Sequence, residues 1–150
     1  MKSIIYVILL LISVETFSQS EAEVQKTIEM FFEGFHKQDS TLLNQVVYKD
    51  VTLQTIATNR EGKTILHTED YSKFITSILS IPKNQKFEEK LLNFYIKIDG
   101  NMANAWTPYQ FWFNDQFSHC GVNSFQLIKV DNAWKIFFLV DTRRKDCTMD

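Results

Sequence analysis

NAWTPYQFWFNDQFSHCGVNSFQLIKVDNAWKIFFLVDTRR, residues 104–144, is the stretch whose reading decides the fold. It divides into three apolar runs, AWTPYQFWF, SHCGVNSFQLIKV and AWKIFFLVDTRR, dense in aromatic and β-branched residues. Short polar breaks, Asn114-Asp115-Gln116 and Asp131-Asn132, separate them, as expected of antiparallel strands joined by tight turns. The apolar runs end in a few polar residues, Tyr109, His119, Asn123, Asp141 and Arg143. A sheet that is oily along its length and polar at one end is how a small-molecule cleft is often built.

Upstream of these strands the period changes. Val24, Ile28, Phe31, Phe32 and Phe35 recur at helical spacing over Glu21 to Lys37, with Gly34 weakening the end. Asp39-Ser40 caps a short second helix carrying Leu42, Leu43, Val46 and Val47. Tyr48 to Thr58 alternates as a strand, and Asn59 to Lys63 is a turn. Thr64 to His67 begins a second pairing segment. Thr68 is expected to cap a third helix with Tyr71, Phe74, Ile75, Ile78 and Leu79 inward, ended by Ser80-Ile81-Pro82. Lys86 to Asp99 reads as one long strand turned by Asp99-Gly100. Helices precede strands rather than alternating with them. The class is therefore α+β: three N-terminal helices packed in a strongly curved, mostly antiparallel sheet.

The chain is long enough for a single domain with a real core. Thirteen Phe, five Tyr and three Trp supply its bulk. The net charge of −2, with no basic stripe, argues against nucleic acid as a partner. Met1-Lys2, an apolar run from Ile4 to Val14 and small residues to Ser20 read as a secretory leader over residues 1–20, cleaved after Ser18 or Ser20. An uncleaved anchor is the alternative, although the run is short for a span. The domain then covers 21–150, in a periplasmic or secreted location that permits disulfides.

The element order, together with Trp106-Thr107-Pro108-Tyr109, Ser118-His119-Cys120-Gly121-Val122, Trp134-Lys135-Ile136 and Asp141-Thr142-Arg143-Arg144, resembles exported bacterial members of the nuclear transport factor 2-like (NTF2-like) superfamily, which includes SnoaL-like and ketosteroid isomerase-like proteins. The resemblance implies a cone-shaped roll with a pocket, and often a homodimer formed through the outer sheet face. It does not choose a reaction, because isomerases, dehydratases, cyclases and binding modules share this scaffold. The chain departs from isomerase-like members in offering Phe31, Phe32 and Phe35, and no Tyr, on its first helix.

Turn chemistry sets a register for the site. A three-residue loop Asp131-Asn132-Ala133 puts Asn123 opposite Asp141. A loop from Asn114 to Ser118 puts Tyr109 opposite Asn123. Tyr109, Asn123 and Asp141 then form a row, Phe111, Gly121 and Arg143 the next, and Thr107, Phe125 and Leu139 the oily floor. Asp141 is the candidate general base, and Arg143 on the same face makes a structural ion pair the competing reading. His119, set opposite Lys145, is a second catalytic candidate, with a hydrogen-bonded structural role as the alternative. His36 and His67 read as solvated. Trp106, Tyr109, Phe111, Asn123, Phe125 and Arg143 are the candidate ligand contacts. The aromatic residues among them are equally suited to core or dimer interface, and Trp134, Ile136, Phe138 and Val140 are expected on the outer, pairing face. Cys120 falls opposite Arg144, three residues before Cys147, so a Cys120–Cys147 disulfide is expected, with two free thiols as the alternative.

No phosphate loop, nucleophile elbow or metal-ligand spacing occurs, so no cofactor or metal is expected. Three functions remain open: binding of a small apolar or aromatic ligand, cofactor-free lyase or isomerase chemistry through Asp141 assisted by Tyr109 or His119, and a protein-interaction module using the outer sheet.

Overall fold

The computed structural model describes the backbone of residues 2–147 and the side chains from Ser20 to Cys147, so the expected leader over residues 1–20 lies almost wholly outside the described side chains. The elements run α1 (Lys2–Lys37), α2 (Ser40–Val46), β1 (Val47–Thr58), β2 (Thr64–Glu69), α3 (Tyr71–Ser80), β3 (Phe87–Leu91), β4 (Tyr95–Asp99), β5 (Met102–Phe113), β6 (Gln116–Val130) and β7 (Ala133–Arg143). This is the expected α+β class. The strands form one sheet in the order β2-β1-β7-β6-β5-β3, with β4 also on β5. All pairings are antiparallel except β1 with β7, which is parallel and joins the N-terminal strand to the C-terminal one.

Local chemistry explains the breaks. Gln38 at φ 55 ends α1, and the Asp39 carboxylate accepts from the Thr41 and Leu42 amides to start α2. Asp70, not Thr68, caps α3 by accepting from the Lys73 amide, because Thr68 and Glu69 are still paired with Gln54 and Leu53 in β2. The single strand expected over Lys86–Asp99 is two strands, interrupted at residues 92–94, and both lie on the long strand β5.

Two hairpin turns differ from expectation. Asn114-Asp115 and Asp131-Asn132 are both two-residue turns with positive φ at each position, a form that Asn and Asp tolerate best after Gly. Each is followed by a one-residue irregularity: Ser118 is extra in β6, and Phe137 is extra in β7. The bulge at Phe137 switches which residues face inward. Trp134 and Ile136 therefore join the core instead of the outer face expected for them, while Leu139 and Asp141 face the same side farther along.

That core lies under α1. Val24, Ile28, Phe31 and Phe32 pack on Ala103, Ala105, Phe125, Leu127 and Ile136, and the Phe31 and Phe32 rings meet Phe125 edge-on at 6.3 and 6.2 Å. Burying each large side chain contributes about 1.5–3 kcal/mol. Ile78 is buried as expected, but Phe35 and Phe74 are only partly covered, because they wall a cavity.

Candidate functional site: a polar end to an aromatic cavity

The inward row begins with a glycine. A Cβ at Gly121 would lie 1.7 Å from the Thr142 carbonyl oxygen, so only glycine lets β7 pass this close to β6. Tyr109 is paired with Gly121, and its hydroxyl reaches past it, 2.9 Å from the Thr142 carbonyl and 3.1 Å from Asp141 Oδ2. One phenolic proton is shared between these two acceptors. Burial, with Asp141 and Glu89 nearby, pushes the Tyr109 hydroxyl far above its ordinary pKa, so it acts as a donor only.

Asp141 is held on both oxygens. Thr55 Oγ1 donates to Oδ1 at 2.5 Å, and Arg143 Nε donates to Oδ2 at 2.8 Å. The carboxylate is mostly covered, while the Arg143 side chain is half exposed. Asn123 lies opposite Asp141 as expected, but Thr107, not Tyr109, lies opposite Asn123. The β5–β6 register is displaced by two residues from the sequence reading. An even displacement keeps the same face, so Tyr109 still reaches Asp141.

Glu89, absent from the sequence-derived site, is central to it. It projects from β3 with Phe87 and Leu91 on the same face, and Asn123 Nδ2 donates to its Oε1 at 2.7 Å. Removal from water, with the Asp141 carboxylate nearby, pushes its carboxyl up to about 8, against the opposing pull of Asn123 and Arg143. It is therefore a neutral acid at pH 7. The Phe87–Glu89–Leu91 alternation was the signal that would have revealed it. Its backbone amide donates to His36 Nε2 at 2.9 Å. His36 is accordingly half-buried among Phe32, Phe35 and Phe87 rather than solvated, and burial lowers its pKa against the pull of Glu88. His67 is exposed.

His119 faces the same space. Its ring stacks on Phe111 at 5.0 Å, and its Nδ1 lies 3.0 Å from Ser118 Oγ. Burial and the Arg143 and Lys145 charges hold it down at about 4, against Asp141, so it is a neutral imidazole at pH 7.

These groups close one end of a cavity of about 370 Å³. Phe31, Phe32, Phe35, Phe74, Leu53, Leu139 and Phe113 form much of its apolar wall, and Phe111, stacked on His119, stands at the polar end. Among the expected contacts, Phe111, Asn123 and Arg143 line it together with Asp141 and His119. Phe125 does not, being sealed in the core, and Tyr109 stands behind Asp141. Trp106 is on the opposite face, 49% exposed, because it alternates with the inward Ala105 and Thr107. The Cys120–Cys147 disulfide, with Cα atoms 5.9 Å apart, ties the tail beside this end, next to the reciprocal Cys120–Arg144 backbone pair. Among the described residues no cluster of His, Cys, Asp and Glu could hold a metal ion.

Residues 19–138 match the model of a protein family described as "Putative lumazine-binding". The chain belongs to that family. The family lies within the NTF2-like superfamily, and solved structures carry the same fold. An NTF2-like protein of unknown function from Shewanella baltica aligns over 87% of this chain and 98% of its own, at 16% identity and TM-score 0.61. A protein of unknown function with a cystatin-like fold from Nostoc punctiforme aligns over 83% and 90%, at 11% identity and TM-score 0.64. A structure titled "Putative Scytalone Dehydratase" from Novosphingobium aromaticivorans aligns over 91% and 93%, at 13% identity and TM-score 0.67. At such identities the likeness is one of fold. No curated protein matches the sequence. Within this NTF2-like domain the cavity occupies the space between sheet and helices where the sequence reading expected a ligand.

Proposed function

We propose that this NTF2-like domain is exported and binds a small, flat, mostly apolar ligand in its cavity. The observation that carries the reading is an aromatic-walled space of about 370 Å³ ending in a polar cluster fixed by hydrogen bonds among Thr55, Asp141, Arg143, Asn123 and Glu89. Ligand pockets begin at about 300 Å³ and combine apolar walls with a few fixed polar groups. A fused two- or three-ring molecule suits that volume, and lumazine, which the family description names, is a flat fused bicycle. Asp141 is less suited to taking a proton, because Thr55, Tyr109 and Arg143 already donate to it. The leader pattern over residues 1–20 and the disulfide support a periplasmic or secreted location. Fluorescence titration of the mature protein with 1-aminoanthracene, followed by displacement with lumazine, tests binding. One saturable site per chain, weakened about three- to tenfold in Phe111→Ala through loss of ring stacking, is the expected result. Absence of saturable binding by either compound overturns the proposal.

A further inference from the structure

Of the three carboxyls that line the cavity, Glu69, Glu89 and Asp141, the latter two act on one another and on Arg143, the guanidinium of the lining. Its Nε is committed to Asp141 at 2.8 Å. Glu89 receives an amide hydrogen bond from Asn123 instead. Burying a carboxylate without a cation in contact is costly, so the carboxyl without the ion pair is the one that keeps its proton. The other groups facing it do not alter this. Tyr109 is a donor turned to Asp141 and Thr142, His119 is neutral, and His36 touches only the Glu89 backbone amide. Among the described hydrogen bonds, Asn123 occupies Oε1 of Glu89 and none involves Oε2.

Resting on the binding function proposed above, we infer that Glu89 is the recognition point of the cavity, presenting a neutral carboxylic acid, and that its ligand is an uncharged planar molecule with a carbonyl beside a ring N–H: a lactam or imide edge. A carboxylic acid and a lactam pair through two parallel hydrogen bonds. The acid O–H donates to the ring carbonyl, and the acid carbonyl accepts from the ring N–H. Oε1 has a second lone pair available for that acceptance while it holds Asn123. The surroundings favour an uncharged ligand. With Glu89 neutral and Asp141 paired with Arg143, these groups together carry no net charge, and Glu69 is the further ionisable carboxyl of the lining. An ionised Glu89 would lose the donor half of the pair and add a negative charge facing the ligand carbonyl.

The test is displacement of 1-aminoanthracene from the full mature protein by two flat bicycles, 2-quinolinone, which has a lactam edge, and naphthalene, which has none. At pH 6.5 the lactam should compete about tenfold better, the worth of two net hydrogen bonds. The advantage should fade as pH rises through about 8, where Glu89 loses its proton. Glu89→Gln keeps a donor and an acceptor in place, so its lactam preference should persist at pH 9.5, whereas Glu89→Leu should show none at any pH. A purely structural Glu89 would not give pH independence in the Gln variant. If 1-aminoanthracene fails to bind, the cavity reading itself falls. If it binds but wild-type protein shows no lactam preference, or one that grows with pH, the assignment to Glu89 is overturned and the cavity reading survives.

Discussion

The concave face of the sheet has two halves built from the same strands. Under α1, Phe125, Leu127 and Ile136 are buried against Phe31 and Phe32, whose rings meet Phe125 edge-on. Beyond Asn123 the same strands carry Asp141, Arg143 and His119, and a cavity takes the place of packed side chains. Strand composition alone does not make this difference. It comes from which helix side chains reach each half, and from a glycine that brings β7 close enough for Tyr109 to fasten it. A closed half supplies stability, and an open half pinned by hydrogen bonds supplies a shaped space. The lesson is that polar residues ending apolar strands can be the frame of a cavity rather than its frayed edge.

The contrast can be broken most forcefully in the closed half. Phe125→Ala should cost about 3–5 kcal/mol of unfolding free energy in urea denaturation, as for other fully buried aromatics. The matching change in the open half, Phe111→Ala, should cost under about 1.5 kcal/mol while weakening aminoanthracene. Equal stability losses would mean that the halves are not distinct.

Gly121→Ala addresses the join between them. The clash with the Thr142 carbonyl is with backbone, so the strand pair must separate, at a cost of about 2–4 kcal/mol. A melting temperature within a degree or two of wild type would show that the close approach is unimportant. The disulfide reinforces the same corner. Its 27-residue separation corresponds to about 3–4 kcal/mol in the chain-entropy model, and the hairpin already inside the loop reduces this to about 2 kcal/mol. Cys147→Ser measures that loss, and thiol titration of denatured, unreduced wild type should find no free thiol at Cys120 or Cys147.

A pH-dependent effect also separates the halves. Glu89 holds its proton to about 8 when folded, against an ordinary 4.5. Between those values the unfolded chain releases a proton that the folded chain retains, so Glu89 lowers wild-type stability as pH rises through that window. Glu89→Gln should therefore raise the melting temperature by on the order of 10 °C at pH 9 and leave it nearly unchanged at pH 4. An increase confined to acid would reverse the sign and reject the neutral acid. The smallest effect belongs to the outer face, where Trp106→Ala should change stability by less than about 0.5 kcal/mol.

The sequence made the order of elements legible because period and turn residues are local. It placed Asn123 opposite Asp141 through two errors that cancelled. A three-residue loop was expected where two residues turn, and the bulge at Phe137 restored the difference. Between β5 and β6 the expected loop was three residues too long and the bulge at Ser118 restored only one, so Tyr109 met Gly121 instead of Asn123. Bulges carry no reliable sequence mark, and that is why Trp134 and Ile136 were expected outside. Glu89 is hard to single out in the sequence because it sits in a charged run with Glu88 and Lys90 on either side. Only its alternation with Phe87 and Leu91 set it apart. The parallel β1–β7 pairing joins distant segments and had no local signal.

The account rests on Glu89 being a neutral acid that faces a ligand site. Carboxyl ¹³C NMR of Glu-labelled protein from pH 4 to 10, with and without saturating 2-quinolinone, tests it most directly. The account predicts that the Glu89 signal titrates near 8 in the free protein and at higher pH when the lactam is bound, because the ligand holds the protonated form. A Glu89 signal that titrates near 4.5 and ignores the ligand would contradict it.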